Sequence, residues 1–158
     1  MTKKILTAIF FALALATAAN AQISNNSIKI QGSIGRGIIK RGSAARATVI
    51  LDIPDGVHTN SNRPTGEYAL PTKIKISGSK VKLGTITYPR GKNKKFEFSE
   101  KPLNVYDGRM TFNFTVAVPK NYRENSVTIR AVVDYQACTN EVCFPPKKQE
   151  IILTAQVR

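Results

Sequence analysis

Between Ile28 and Val157 the apolar residues fall at every second position, and that period decides the fold class. Met110, Phe112, Phe114, Val116 and Val118 alternate with Thr111, Asn113, Thr115 and Ala117. Successive side chains of an extended strand point to opposite faces, so this run predicts a strand buried on one side. Val127, Ile129, Ala131, Val133 and Tyr135 repeat the pattern, as do Ile151, Leu153, Ala155 and Val157. Shorter runs predict strands at Ile28/Ile30, Val49/Leu51/Ile53, Thr72/Ile74/Ile76 and around 81–88. Turn residues separate them: Pro54-Asp55-Gly56, Gly78, Pro89-Arg90-Gly91, Asp107-Gly108 and Pro119-Lys120-Asn121. No stretch of the domain carries a helical apolar stripe. Short strands without helices predict one all-β domain, a two-sheet antiparallel sandwich, with a closed barrel as the competing architecture.

The first residues read as an export signal. Met1-Thr2-Lys3-Lys4 is basic, Ile5 to Ala18 is apolar, and Ala19-Asn20-Ala21 fits a small-x-small cleavage site. The apolar run is shorter than the roughly 20 residues that a membrane span needs. Residues 1–21 are therefore expected to be a removed signal peptide. Residues 22–158 are expected to form the domain outside the cytoplasm, with no membrane span in the mature chain. The chain holds 24 Lys and Arg against 10 Asp and Glu. Such a balance suits an acidic partner, but its plainer reading is lysines on outward strand faces that oppose edge-to-edge pairing. The densest cluster, Lys92, Lys94 and Lys95, has no interleaved aromatics of the kind that stack on bases, so nucleic acid is not an expected partner.

The chain has two cysteines, Cys138 and Cys143. Outside the cytoplasm such a pair is expected to be bonded. A structural bond in a sandwich joins residues far apart in sequence. This pair closes a small ring, which chain entropy values at only about 2 kcal/mol. It looks like chemistry placed on a scaffold, in the loop between the strand ending at Tyr135 and the strand holding Ile151. Pro145 and Pro146 fix φ and donate no hydrogen bonds, so they stiffen the loop and interrupt the ladder. Three readings stand: thiol–disulfide exchange, an inert loop disulfide, or a soft-metal site formed by Cys138, Cys143 and His58. With one His and no Met beside the pair, the metal reading is the weakest, and no metal or cofactor is expected. His58 either ends a turn after Asp55-Gly56 or lies near the cysteines, where its protonation would favour a thiolate. Glu141 inside the ring would oppose one. Asn60, Ser61 and Asn62 are expected to organise a loop through side-chain-to-backbone hydrogen bonds. Phe96 and Phe98 have a plain reading as core residues of an alternating strand. One His and scattered acids offer no hydrolase triad or carboxylate pair.

Tyr135-Gln136-Ala137-Cys138, a short polar spacer and Cys143-Phe144-Pro145-Pro146 together resemble the active-site loop of a known family. That family is the N-terminal periplasmic domain of the thiol:disulfide interchange protein DsbD. Gly56-Val57-His58-Thr59-Asn60-Ser61-Asn62-Arg63-Pro64 and Leu70-Pro71-Thr72 are similar to two further stretches of its members. The resemblance spans roughly residues 28–157. It implies an immunoglobulin-like sandwich in the periplasm with Cys138 and Cys143 as the redox pair. Tyr135, Gln136, Phe144, Pro145 and His58 would surround the pair, and Phe98 would sit on a cap loop that shields it until a partner docks. It also implies electron transfer to thioredoxin-like periplasmic oxidoreductases, such as disulfide isomerases and cytochrome c maturation proteins. Family proteins continue into a membrane electron-transport domain and a thioredoxin-like domain. This chain stops at Arg158, so a separately encoded membrane electron transporter is the expected source. The spacer between the cysteines is shorter than in the best-known members. The rival expectation is a non-catalytic envelope protein-binding module whose disulfide only stiffens its tip.

Overall fold

The computed structural model describes residues 27–66 and 68–158, so the expected signal peptide lies outside the described residues. Twelve strands and no helix are found among them. The strands are β1 (Lys29–Ile34), β2 (Ile38–Ile39), β3 (Ala44–Asp52), β4 (His58–Asn60), β5 (Lys73–Gly78) and β6 (Lys82–Leu83). The second half holds β7 (Lys92–Lys94), β8 (Leu103–Tyr106), β9 (Arg109–Ala117), β10 (Ser126–Tyr135), β11 (Ala137–Cys138) and β12 (Lys147–Val157).

Two sheets form the sandwich. One has the order β1-β3-β9-β6, the other β2-β12-β10-β5. Each is built on one long antiparallel ladder. β3 pairs β9 from Ala44↔Ala117 to Asp52↔Arg109, and β10 pairs β12 from Ser126↔Gln156 to Tyr135↔Lys147. The alternation read from the sequence sets which residues face inward. Val49, Leu51, Phe112 and Val116 of one sheet share a core with Val127, Ile129, Val133 and Leu153 of the other. Phe112 is fully buried and receives the ring edges of Tyr88 and Tyr106 at centroid distances of 5.5 and 5.6 Å. The sheets come close where β1 passes β12. A Cβ on Gly32 would lie 2.7 Å from a Leu153 methyl and 2.4 Å from the Thr48 carbonyl oxygen. The architecture is the all-β, immunoglobulin-like sandwich that the sequence predicts.

The structure departs from the expected strand list in three ways. The strand expected around 81–88 shrinks to β6 and a single bridge, Thr87↔Asn113. Leu83 pairs Val116 while Thr87 pairs Asn113, so this strand carries one residue more than its partner and bulges out of the ladder. β2 pairs β12 in parallel, the one exception among the described pairings to antiparallel order. Finally, a third sheet of order β11-β4-β8-β7 caps one end. It stands where β3 and β10 finish and where β5, β9 and β12 begin.

Phe112→Ala removes the ring on which two tyrosines lean. It should cost about 3–5 kcal/mol of unfolding free energy, as measured by chemical denaturation.

Candidate functional site

The third sheet gains its edge strand β11 because the β10–β12 hairpin is interrupted. Tyr135 pairs Lys147, yet eleven residues lie between them. Pro145 and Pro146 end at the first rung, so β12 begins at Lys147, earlier than the Ile151 region where alternation becomes clear. The intervening chain leaves the sheet and folds on itself. Phe144 N–H donates to the Ala137 carbonyl at 2.8 Å and Thr139 N–H to the Val142 carbonyl at 2.8 Å. The Thr139 hydroxyl accepts from the Glu141 and Val142 amides at 3.2 and 3.1 Å, which closes the tip. Gln136 donates its amide to the Phe144 carbonyl at 3.1 Å and clasps the two stems. Cys138 and Cys143 face each other across this small hairpin and are disulfide-bonded, with their Cα atoms 3.9 Å apart.

The two sulfurs live in different environments. Cys138 is 1% exposed, whereas Cys143 lies on the exposed side of the hairpin with Val142 and Phe144. β11 fixes Cys138 against β4 by the pairs Ala137↔Thr59 and Cys138↔His58. Residues directly opposite on antiparallel strands place their side chains on one face. Ala137 turns to the main core. Cys138 and His58 turn to the other face of the small sheet.

That face is polar and covered. His58 is buried, and the Phe96 ring stacks on it at 4.3 Å. Beyond His58 lies Asp107, whose two carboxylate oxygens are bound by Lys92 at 2.8 Å and by Lys94. His58, Lys92, Lys94, Asp107, Arg109 and Asn140 line one cleft. Burial lowers the imidazole pKa below its ordinary 6.5; Lys94 pushes it the same way and Asp107 opposes it. The lysine hydrogen bonds hold the Asp107 carboxyl below its ordinary value.

Phe98 stacks on the outside of Phe96 at 5.2 Å and is 50% exposed. Phe96 is thus the ring that stacks on His58, and Phe98, assigned to the cap by resemblance, packs on its outer side. Neither belongs to an alternating strand: both lie in the turn between β7 and β8, and Phe96 is buried outside the main core. The 94–97 segment and residues Asn140 and Glu141 line opposite sides of a second cleft. Tyr135 is buried at the hairpin root, donates to Gln149 at 3.4 Å and has its pKa raised by burial. Lys148 lies 3.6 Å from Asp134. Asn60 donates to the Leu70 carbonyl, Ser61 accepts from the Arg63 amide, and Asn62 accepts from the Tyr106 hydroxyl. The sequence reading did not single out Asp107 or the β7 lysines as neighbours of the site. Among the described residues, no group of three or more His, Cys, Asp or Glu side chains is placed to hold a metal ion.

Fold and site define an immunoglobulin-like domain that presents a disulfide on a stiff hairpin at one end. The family model described as thiol:disulfide interchange protein DsbD, N-terminal, matches residues 36–155, and the chain belongs to that family. With its bonded cysteine pair, it is a thiol–disulfide interchange module. Among solved structures, the N-terminal periplasmic domain of ScsB from Proteus mirabilis matches with a TM-score of 0.53 and 14% identity. That match covers 82% of this chain and 47% of the other. The reduced DsbD N-terminal domain of Neisseria meningitidis matches with a TM-score of 0.46 and 20% identity, over 84% and 91% of the two chains. The same domain in complex with the PilB N-terminal domain matches with a TM-score of 0.47 and 19% identity, over 78% and 80%. No curated protein matches the chain in sequence.

Cys143→Ala should cost only about 2 kcal/mol in thermal unfolding, because the ring that the bond closes is small. Stability should fall as the pH drops below 6.5. The unfolded chain then binds a proton on His58 that the folded chain resists. His58→Gln should flatten that part of a pH-resolved denaturation profile, leaving the Asp107 loss at more acid pH.

Proposed function

We propose that the chain is a periplasmic relay that carries electron pairs between thioredoxin-like oxidoreductases through Cys138 and Cys143. The observation that carries this reading is the unequal exposure of two bonded sulfurs on a hairpin at one end of the sandwich. Family membership supports the periplasmic location and the class of partner. On this reading residues 1–21 are the export signal, residues 22–158 are the working domain, and a membrane electron transporter is the source of electrons.

The exposure of Cys143 sets the order of steps. A thiolate of a reduced partner attacks the Cys143 Sγ, which an incoming sulfur can reach. The Cys138–Cys143 bond breaks, a mixed disulfide forms at Cys143, and the electron pair leaves on the Cys138 Sγ. The second partner thiolate then attacks its own bridged sulfur and releases Cys143. The partner ends as a disulfide and the module as a dithiol, so two electrons and two protons have moved. The reverse sequence delivers them onward. Phe144 and Val142 are exposed beside Cys143 and give a docking partner apolar surface to cover.

Trapping tests the reading. Cys138→Ala should accumulate a mixed disulfide with a periplasmic thioredoxin-like protein, and Cys143→Ala should not. The reduction potential of the couple should lie above about −300 mV in a glutathione or dithiol equilibration. No trapped partner together with a more negative potential would make the bond a clip and the domain a binding module.

A further inference from the structure

We propose that His58 is the group that receives the Cys138 thiolate when Cys143 is attacked, donating an imidazole N–H to the departing sulfur. The inference rests on the relay reading and assigns the step that the reading leaves open: what holds the negative charge.

The difficulty is physical. Cys138 is almost fully buried, and loss of hydration disfavours a thiolate. A sulfur that must leave as an anion needs a donor or a cation close by. Two of the loop amides are already committed: Thr139 N–H bonds to Val142 and Phe144 N–H to Ala137. Lys92 and Lys94, which line the same cleft as His58, are bound to the two oxygens of Asp107. His58 remains. It is the direct cross-strand partner of Cys138, and such pairs have Cβ atoms about 5 Å apart, within reach of an imidazole. Phe96 stacks on the ring and fixes its plane.

The charges around the ring suit this role. Lys92 and Lys94 of β7, Arg109 of β9, Asp107 before it and Asp55 in the turn before β4 line the cleft that His58 enters. Glu97 and Glu141 border the neighbouring cleft on the far side of Phe96. Burial and Lys94 favour the neutral imidazole while the disulfide is intact, against the pull of Asp107. Because both Asp107 oxygens are held by lysines, the carboxylate does not capture the imidazole proton. Release of a thiolate next to the ring then raises its proton affinity. The new anion meets a donor that was uncharged a moment earlier, so no buried cation has to be maintained in the resting state. No atom is lost or gained: the S–S bond breaks, the electron pair rests on the Cys138 Sγ, and the proton shared with it comes from the imidazole or, through it, from solvent.

Cys143→Ala leaves Cys138 as the single thiol, and its thiolate absorbance can be followed against pH. Adding His58→Phe, which keeps a ring for Phe96 to stack on, should raise the Cys138 titration midpoint by about one pH unit. In the intact pair, His58→Phe should slow reduction by a small dithiol about tenfold, and His58→Gln, which keeps an N–H donor, should recover most of that loss. An unchanged midpoint and rate, with only a lower melting temperature, would overturn the proposal and leave His58 as packing. If His58→Phe does not fold, the wild-type imidazole resonances decide. With Cys143→Ala in place they should shift at the pH where Cys138 loses its proton, and resonances that ignore that step would overturn the proposal. The small dithiol keeps this test separate from the relay. A module that traps no partner can still show the coupling, and one that traps partners through Cys143 can still lack it.

Discussion

A pair of prolines next to a ten-rung ladder governs this molecule. β10 and β12 are matched rung for rung up to Tyr135 and Lys147, and nothing in their alternation would stop the pairing there. Pro145 and Pro146 stop it, because neither can donate to a ladder. The chain between the strands must satisfy its hydrogen bonds elsewhere. It does so in a private hairpin and along β4. The disulfide and the pairing of Cys138 with His58 at the edge of the third sheet follow from that diversion.

The long strands were legible because one face of each meets a large core, so period two shows through most of β3, β9, β10 and β12. The third sheet was not. β4, β7 and β11 are two or three residues long, too short for any period to show. β4 is buried on both faces as His58-Thr59-Asn60, a polar triplet with none of the apolar marks of an inner strand. Its burial is tolerated because its polar atoms find partners, as in the Thr72 hydroxyl bonded to Thr59 and to the Asn60 carbonyl. The cysteine motif and the Pro-Pro that follows it were readable from local sequence, and so was the family. Phe96 was not separable from Phe98 by spacing, since both fit an alternating pattern that the turn at 97–98 overrides. Asp107 looked like half of an Asp-Gly turn, which it also is: Gly108 has a φ of 66°. Only the pairing of β7 with β8 shows that the same carboxylate anchors an edge strand.

The edge strand has a second use for its charges. β7 exposes Lys92, Asn93 and Lys94 in succession, a sequence that discourages another chain from adding to the sheet. The inward pull of Asp107 keeps two of those lysines over the cleft. One short strand thus guards a sheet edge and sets the field felt by a buried imidazole.

The anchoring of the hairpin also has a mechanical side. Its stems run directly into the two central strands of a sheet, and Gln136 ties the stems together just above the point of entry. A protein joined covalently to Cys143 therefore pulls on a loop whose load passes lengthwise into two strands at once. Such a load is borne in shear by many rungs together, instead of peeling them one after another. The domain can tug free of a large, tumbling companion without its own tip unravelling.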